Sequence, residues 1–213
     1  MAPQIALAFR TGQGAWGMNY RIAIVAGVVL LAAAGWLAWR LIQAPVVETS
    51  DIVEVPGGHA YQYVAAPDTS WEADRQAAAA MSWHGHPGYL ATIHDAAEYQ
   101  FVIDHLFPHA YPDVTYLGGR QVAPGEWRWV TGPDAAADGG KGILFWRGDE
   151  QGAVASGRYA NWMSTAFQHG GKWDVAKVCC VSLFSYGVPQ FSTSLGTGDR
   201  DEHVAGYIVE YGG

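Results

Sequence analysis

The chain has 213 residues, a formal net charge of −8, 50% hydrophobic and only 15% charged side chains, and 13% aromatics including ten Trp. Once an apolar N-terminal segment is set aside, this length leaves room for one medium-sized domain and not for two cores. The acidic balance and the lack of any Lys/Arg cluster exclude nucleic acid as a partner, and the aromatic content excludes disorder for the bulk of the chain.

Residues 1–20 place Ile5, Leu7, Phe9, Trp16, Met18 and Tyr20 among Gly and Gln, an apolar make-up that suits a cytoplasmic tail resting on a membrane or a partner. From Ile22 to Trp39 there is no charged or strongly polar side chain, and Leu41 and Ile42 extend the run past Arg40. At about 1.5 Å of rise per residue, roughly 20 such residues cross a hydrocarbon core of roughly 30 Å. A single transmembrane helix is therefore predicted over 21–43, with Ile22, Leu30, Trp36 and Trp39 as anchoring side chains. Trp36 and Trp39 suit an interfacial aromatic belt, and Arg40 can snorkel beside them. A cleaved signal peptide would have a shorter apolar core.

Arg10, Arg21 and the terminal amine precede this segment, whereas Glu48, Asp51 and Glu54 follow Arg40. The positive-inside rule then puts the N-terminus in the cytoplasm, across an inner or plasma membrane from a periplasmic or extracellular C-terminal domain. The bilayer itself is one partner. Residues 44–57 read as an extended acidic linker, and residues 58–213 as the domain.

Within the domain a first strand is predicted near His59 to Val64. Asp68, Thr69 and Ser70 offer N-caps for a helix from Trp71 to Trp83, closed by the turn His84-Gly85-His86-Pro87-Gly88. Tyr89 to Ile93 reads as a short strand. His94 to Phe107 carries Ala97, Phe101, Val102 and Leu106 at helical spacing and stops at Pro108. From Tyr116 onward, short strands alternate with Gly, Pro, Asp and Ser, with Trp127 and Trp129 on one strand face. Helices followed by strands and long loops make an α+β domain. Cys179 and Cys180 are adjacent; a bridge between neighbours needs a strained geometry, so two buried thiols, or one buried and one exposed, are expected instead.

Several stretches occur in an ordered series: Trp71-Glu72-Ala73, Gly88-Tyr89-Leu90-Ala91-Thr92-Ile93, Glu98, Tyr116-Leu117-Gly118-Gly119, Trp127-Arg128-Trp129-Val130-Thr131-Gly132, Tyr159-Ala160-Asn161-Trp162 and Tyr207-Ile208-Val209-Glu210. In this order and spacing they resemble the C-type lectin-like domain, over about Val55 to Tyr211. The resemblance implies an α+β fold of two helices, small antiparallel sheets and a long loop, with Trp127, Trp129 and Trp162 as packing residues.

Sugar-binding members of that family hold calcium through a Glu-Pro-Asn or Gln-Pro-Asp triplet and a Trp-Asn-Asp triplet. Neither occurs after Trp162 or in the stretch from Pro189 to His203. Calcium requires six to eight oxygens, so no cofactor is expected. Asp199, Asp201 and Glu202, with Asn161 or Asp174, are the weak metal candidates that remain. The family's bridging cysteines are also missing: Cys180 suits one position, but Ala78 and Val209 stand where partners would be.

The histidines match no zinc pattern, and there is no nucleophile elbow or phosphate loop, so a non-enzymatic protein is expected. The loop from about Asp134 to Tyr186 is rich in Gly and aromatics. Its exposed aromatics, with Trp146, Phe167, Trp173 and Tyr186 foremost, are the candidate partner-binding residues. The reading is a membrane-anchored interaction module, an accessory subunit held against an integral-membrane partner. The alternative is a surface receptor binding carbohydrate with little or no calcium, through Trp146, Trp173 and the Asp199 to Glu202 turn.

Overall fold

The computed structural model describes residues 48–107, 114–149, 151–167, 178–184, 189–198 and 203–212. The chain divides into two compact units, Met1–Val46 and Val47–Gly213, and all the described residues belong to the second. The expected tail and the expected transmembrane helix, with Ile22, Leu30, Trp36 and Trp39, lie outside the described residues. Among the described residues no helix is long and apolar enough to cross a membrane.

The strands are β1 (Val53–Glu54), β2 (Ala60–Ala65), β3 (Ser82–Trp83), β4 (His86–Leu90), β5 (Val114–Ala123), β6 (Glu126–Trp129), β7 (Ile143–Arg147), β8 (Ala153–Val154), β9 (Cys180–Phe184), β10 (Gln190–Ser194) and β11 (Val204–Tyr211). Among the described residues the helices are α1 (Trp71–Ala79), α2 (Ala96–Leu106) and a single turn, α3 (Ala137–Gly140), preceded by a 3-10 turn over Gly132–Ala136. Strand order along the sheet is β1-β2-β11-β5-β6-β7-β8, with β4 also on β11, β9 on β5 and β10 on β9. Because β11 is antiparallel to β2 and β4 and parallel to β5, the last strand is the hub that joins the domain's beginning to its middle. Strand β1 falls inside the stretch expected as linker, and Ser50 N–H donates to the Tyr63 carbonyl at 2.9 Å, so sheet pairing starts before residue 58.

Helix α1 starts where expected: the Ser70 hydroxyl accepts from the Ala73 amide at 3.2 Å, and Glu72 and Asp74 occupy the positive end of the helix dipole. It buries Trp71, Asp74 and Ala78, one face at helical spacing. It stops at Ala79 and does not reach Trp83. Ser82 and Trp83 pair instead with Pro87 and His86, in a hairpin whose turn residues His84 and Gly85 have φ of 48° and 87°. Helix α2 is capped by Asp95, whose carboxylate accepts from the Ala97 and Glu98 amides at 2.8 and 2.9 Å. Its buried face is Tyr99, Val102 and Leu106, rotated from the expected stripe so that Ala97 is exposed and Phe101 is half-buried.

Trp127 and Trp129 point inward together, as their alternation implies, and join Phe145, Phe191, Leu117 and Ile208 in the main core. A second cluster gathers Trp71, Ala78, Tyr116, Cys180, Tyr207 and Val209. Ala78 and Val209, the positions where bridging cysteines would stand, are thus closed by apolar packing. Gly118 is required by a close approach: a Cβ there would collide with the Thr131 hydroxyl and the Leu90 carbonyl.

The cysteines depart from expectation. Cys179 and Cys180 form a disulfide and are not free thiols. It fits because the chain opposite both sulfurs is Gly196, where a Cβ would lie 2.6 Å from each Sγ.

Candidate functional site

The long-loop face is built on Trp162. Its backbone bridges to Phe191, while the Phe191 amide donates to the Asn161 carbonyl at 2.9 Å and the Met163 amide to the Phe191 carbonyl at 3.0 Å. The indole meets Trp127 edge-on at 5.4 Å, lies parallel to Phe145 at 6.0 Å and contacts Phe167 at 4.9 Å. Phe167 in turn stacks on Trp146, with centroids 6.5 Å apart and planes 15° apart. Trp162 therefore pegs the loop to the core, and Trp146 and Phe167 form a half-buried aromatic pair above it.

This corrects the expectation of freely exposed loop aromatics. Phe145 is fully buried, and Tyr159 packs between Tyr99 and Phe191. The cause is a register shift between β6 and β7: Trp127 pairs with Trp146 and Arg128 with Leu144, which leaves Phe145 as the extra residue. The shift sends Phe145 and Trp146 to the same aromatic cluster although they are sequence neighbours. The Trp146 indole N–H is satisfied by the Asp149 carbonyl at 3.3 Å. Trp173 and Tyr186, the other two candidates, lie outside the described residues, as do Asp199, Asp201, Glu202 and Asp174.

Where the second calcium triplet would stand, β10 runs Gln190-Phe191-Ser192-Thr193-Ser194. Phe191 is core, Gln190 donates to Asn161 Oδ1 at 3.2 Å, and Thr193 donates to the Ala166 carbonyl at 2.6 Å. These polar groups tie the loop to the strand. Among the described residues no group of three or more His, Cys, Asp and Glu side chains gathers to hold a metal ion.

A second polar region follows from no motif in the sequence. Glu210, 2% exposed on β11, stands opposite Tyr61 of β2 and Tyr89 of β4. It meets His59 Nδ1 at 2.7 Å and accepts from the Thr92 amide at 3.1 Å. The Thr92 hydroxyl is 3.1 Å from His94 Nε2, which lies 2.8 Å from Asp134 Oδ2 in the 3-10 turn. Glu98 of α2 accepts from the Tyr61 hydroxyl at 2.6 Å and the His94 amide at 2.7 Å. The bond to Glu210 raises His59 above the ordinary imidazole range, and the bond to Asp134 does the same for His94. Burial pushes the Glu98 carboxyl up against the pull of its two donors. In the sequence Glu98 and Glu210 are legible only as pattern residues. No short-range signal joins His59 to a partner 151 residues away.

No family model matches the chain. Halomucin of Haloquadratum walsbyi is 33% identical over 116 residues, which are 54% of this chain and 1% of Halomucin. The chain thus spans about 1% of the length of that relative. Among solved structures, the EPNH mutant of CEL-I has a TM-score of 0.50 at 16% identity, covering 80% of this chain and 97% of the other. The C-type lectin CEL-I from Cucumaria echinata follows at 0.49 and 16%, covering 80% and 98%. The cow CD23 C-type carbohydrate-recognition domain is at 0.46 and 18%, covering 75% and 91%. Together with the element order and the aromatic core, the likeness at 0.50 identifies the fold as C-type lectin-like. At 16% identity it is a likeness of fold.

Proposed function

We propose that this chain is a membrane-anchored, non-enzymatic recognition module: an apolar helix over 21–43 holds the lectin-like domain outside an inner or plasma membrane, where it contacts an integral-membrane partner as an accessory subunit. The observation that carries the reading is the Trp146–Phe167 pair on its Trp162 base. A rigid, partly exposed aromatic layer loses little conformational entropy on contact, which is what an interface anchor needs. The apolar run from Ile22 to Trp39, the apolar tail and the charge asymmetry around Arg40 support the topology. The Ala- and Gly-rich composition supports a bacterial periplasmic setting. That Halomucin carries a similar stretch within a far longer chain supports use of the domain as a module.

The test is purification of the tagged full-length chain from its own membranes in mild detergent. A stoichiometric membrane protein accompanies the unsubstituted chain, and its recovery drops by roughly tenfold in the Trp146→Ala, Phe167→Ala double variant. A lone monomer from native membranes would overturn the reading.

A second reading, binding of carbohydrate with little or no calcium, is favoured by the same aromatic pair, because sugar rings stack on indole and phenyl faces. It requires binding of the full-length chain to a glycan array in calcium and in chelator alike; a clean negative in both ends it.

A further inference from the structure

The His59–Glu210–Thr92–His94–Asp134 chain lies apart from the long-loop face. It links four separate pieces of structure: the turn after β1, the end of β11, the segment between β4 and α2, and the 3-10 turn. We infer that His59 and His94 form a proton-operated clasp that fastens β1 with its turn, and the 3-10 turn, to the domain's last strand, closed in mildly acidic solution and loosened as pH rises.

Three observations carry this. First, the charged groups around the imidazoles are nearly all acidic. His59 faces Glu210 from β11 and Glu98 from α2; His94 faces Asp134 from the 3-10 turn, Glu98 from the helix that follows it and Glu210 across the sheet. The phenols of Tyr61 and Tyr89 complete the surroundings, and burial raises both, so they stay neutral. Among the described residues the imidazoles are the only ion-pair partners of Glu210 and Asp134. Two protonated imidazoles therefore compensate buried carboxylates; two neutral ones leave Glu98 and Glu210 facing each other in a poorly solvated place.

Second, β2 is fixed to β11 by six register pairs, but β1 and its turn have few strand contacts of their own. Strand β1 pairs through two residues, Val53 with Tyr61 and Glu54 with Ala60, and its turn, Pro56 to Gly58, is exposed. The Val55 amide donates to the carbonyl of His59 itself at 2.8 Å, so the residue that binds Glu210 also closes the turn. Third, there is room to open. A cavity of about 430 Å³ separates Val55, Pro56 and His59 on one side from His94, Ala97, Glu98 and Phe101 on the other. Val53 and Val55 pack against the main core, so the loosening is local to the exposed turn that borders this open pocket.

A histidine raised in the folded state contributes stability that is complete below its unfolded value, near 6.5, and is lost as pH climbs through the folded value. The clasp is independent of whatever the long-loop face binds.

Hydrogen exchange on the full-length chain in detergent micelles, corrected for intrinsic rates, tests it between about pH 5.5 and pH 8.5. Amides of residues 53–59 are expected to exchange roughly fivefold faster at the higher pH relative to β9, a modest factor because the His59 side chain is 42% exposed and partly screened. His59→Gln, which can still donate to Glu210 but cannot titrate, should abolish that pH dependence, and His94→Gln should abolish it in residues 132–136. An equal rise in β9 and β10, or pH dependence surviving in His59→Gln, would overturn the clasp. If a variant fails to fold, proton NMR titration of His59 in the unsubstituted chain decides: a midpoint at or below the ordinary imidazole value refutes the inference.

Discussion

Asp74 is 2% exposed on the inner face of α1, where its carboxylate accepts from the Thr69 hydroxyl at 2.8 Å. Burial without a cation pushes its carboxyl up from an ordinary 3.8 to about 7. The folded value is the higher one, so stability is complete below about 3.8 and is lost as pH rises through about 7. Asp74→Asn keeps an acceptor for Thr69 and removes the charge. It is expected to leave acid-side stability unchanged and to raise stability by up to about 4 kcal/mol at pH 8, read from urea midpoints of the full chain. Sequence alone shows Asp74 as one acid in a helix's first turn; only the packing of α1 reveals that it faces inward.

At the scale of elements, beginnings are legible and ends are not. Ser70 announces α1 because a cap is a local event, one side chain meeting an amide three residues on, and Asp95 caps α2 in the same way, so that the helix begins two residues inside the expected start at His94. Asp95→Ala should cost about 1 kcal/mol in chemical denaturation and leave the strand pairing intact. The end of α1 is decided elsewhere. Strong helix formers continue from Gln76 to Ala80, yet Met81 to Trp83 leave the helix because β3 pairs with β4, and β4 is held by β11. The face of α2 and the register shift that buries Phe145 have the same origin, since each depends on a surface supplied by distant residues.

For the whole molecule, the proposed anchor makes the sharpest prediction. Leu30→Arg puts a charge near the centre of the apolar run at a cost of roughly 3 kcal/mol, so the variant chain should shift from the membrane pellet to the supernatant on fractionation. Retention equal to the unsubstituted chain would count against a span. The fold is readable because its marks, from Trp71 through Trp127 and Trp129 to Glu210, are core and turn positions whose residue types are dictated by packing, and their order along the chain preserves the order of elements. By itself, then, the sequence determined the α+β class, the helix starts, the inward Trp pair and the missing calcium triplets, all of which rest on short-range pattern. Only the tertiary structure decided that Phe145 is core, that Trp146 and Phe167 form one stacked pair, that Cys179 and Cys180 bond against Gly196, and that His59 meets Glu210. Each of those joins residues whose meeting depends on strand register, and register is set by the burial of whole faces at once.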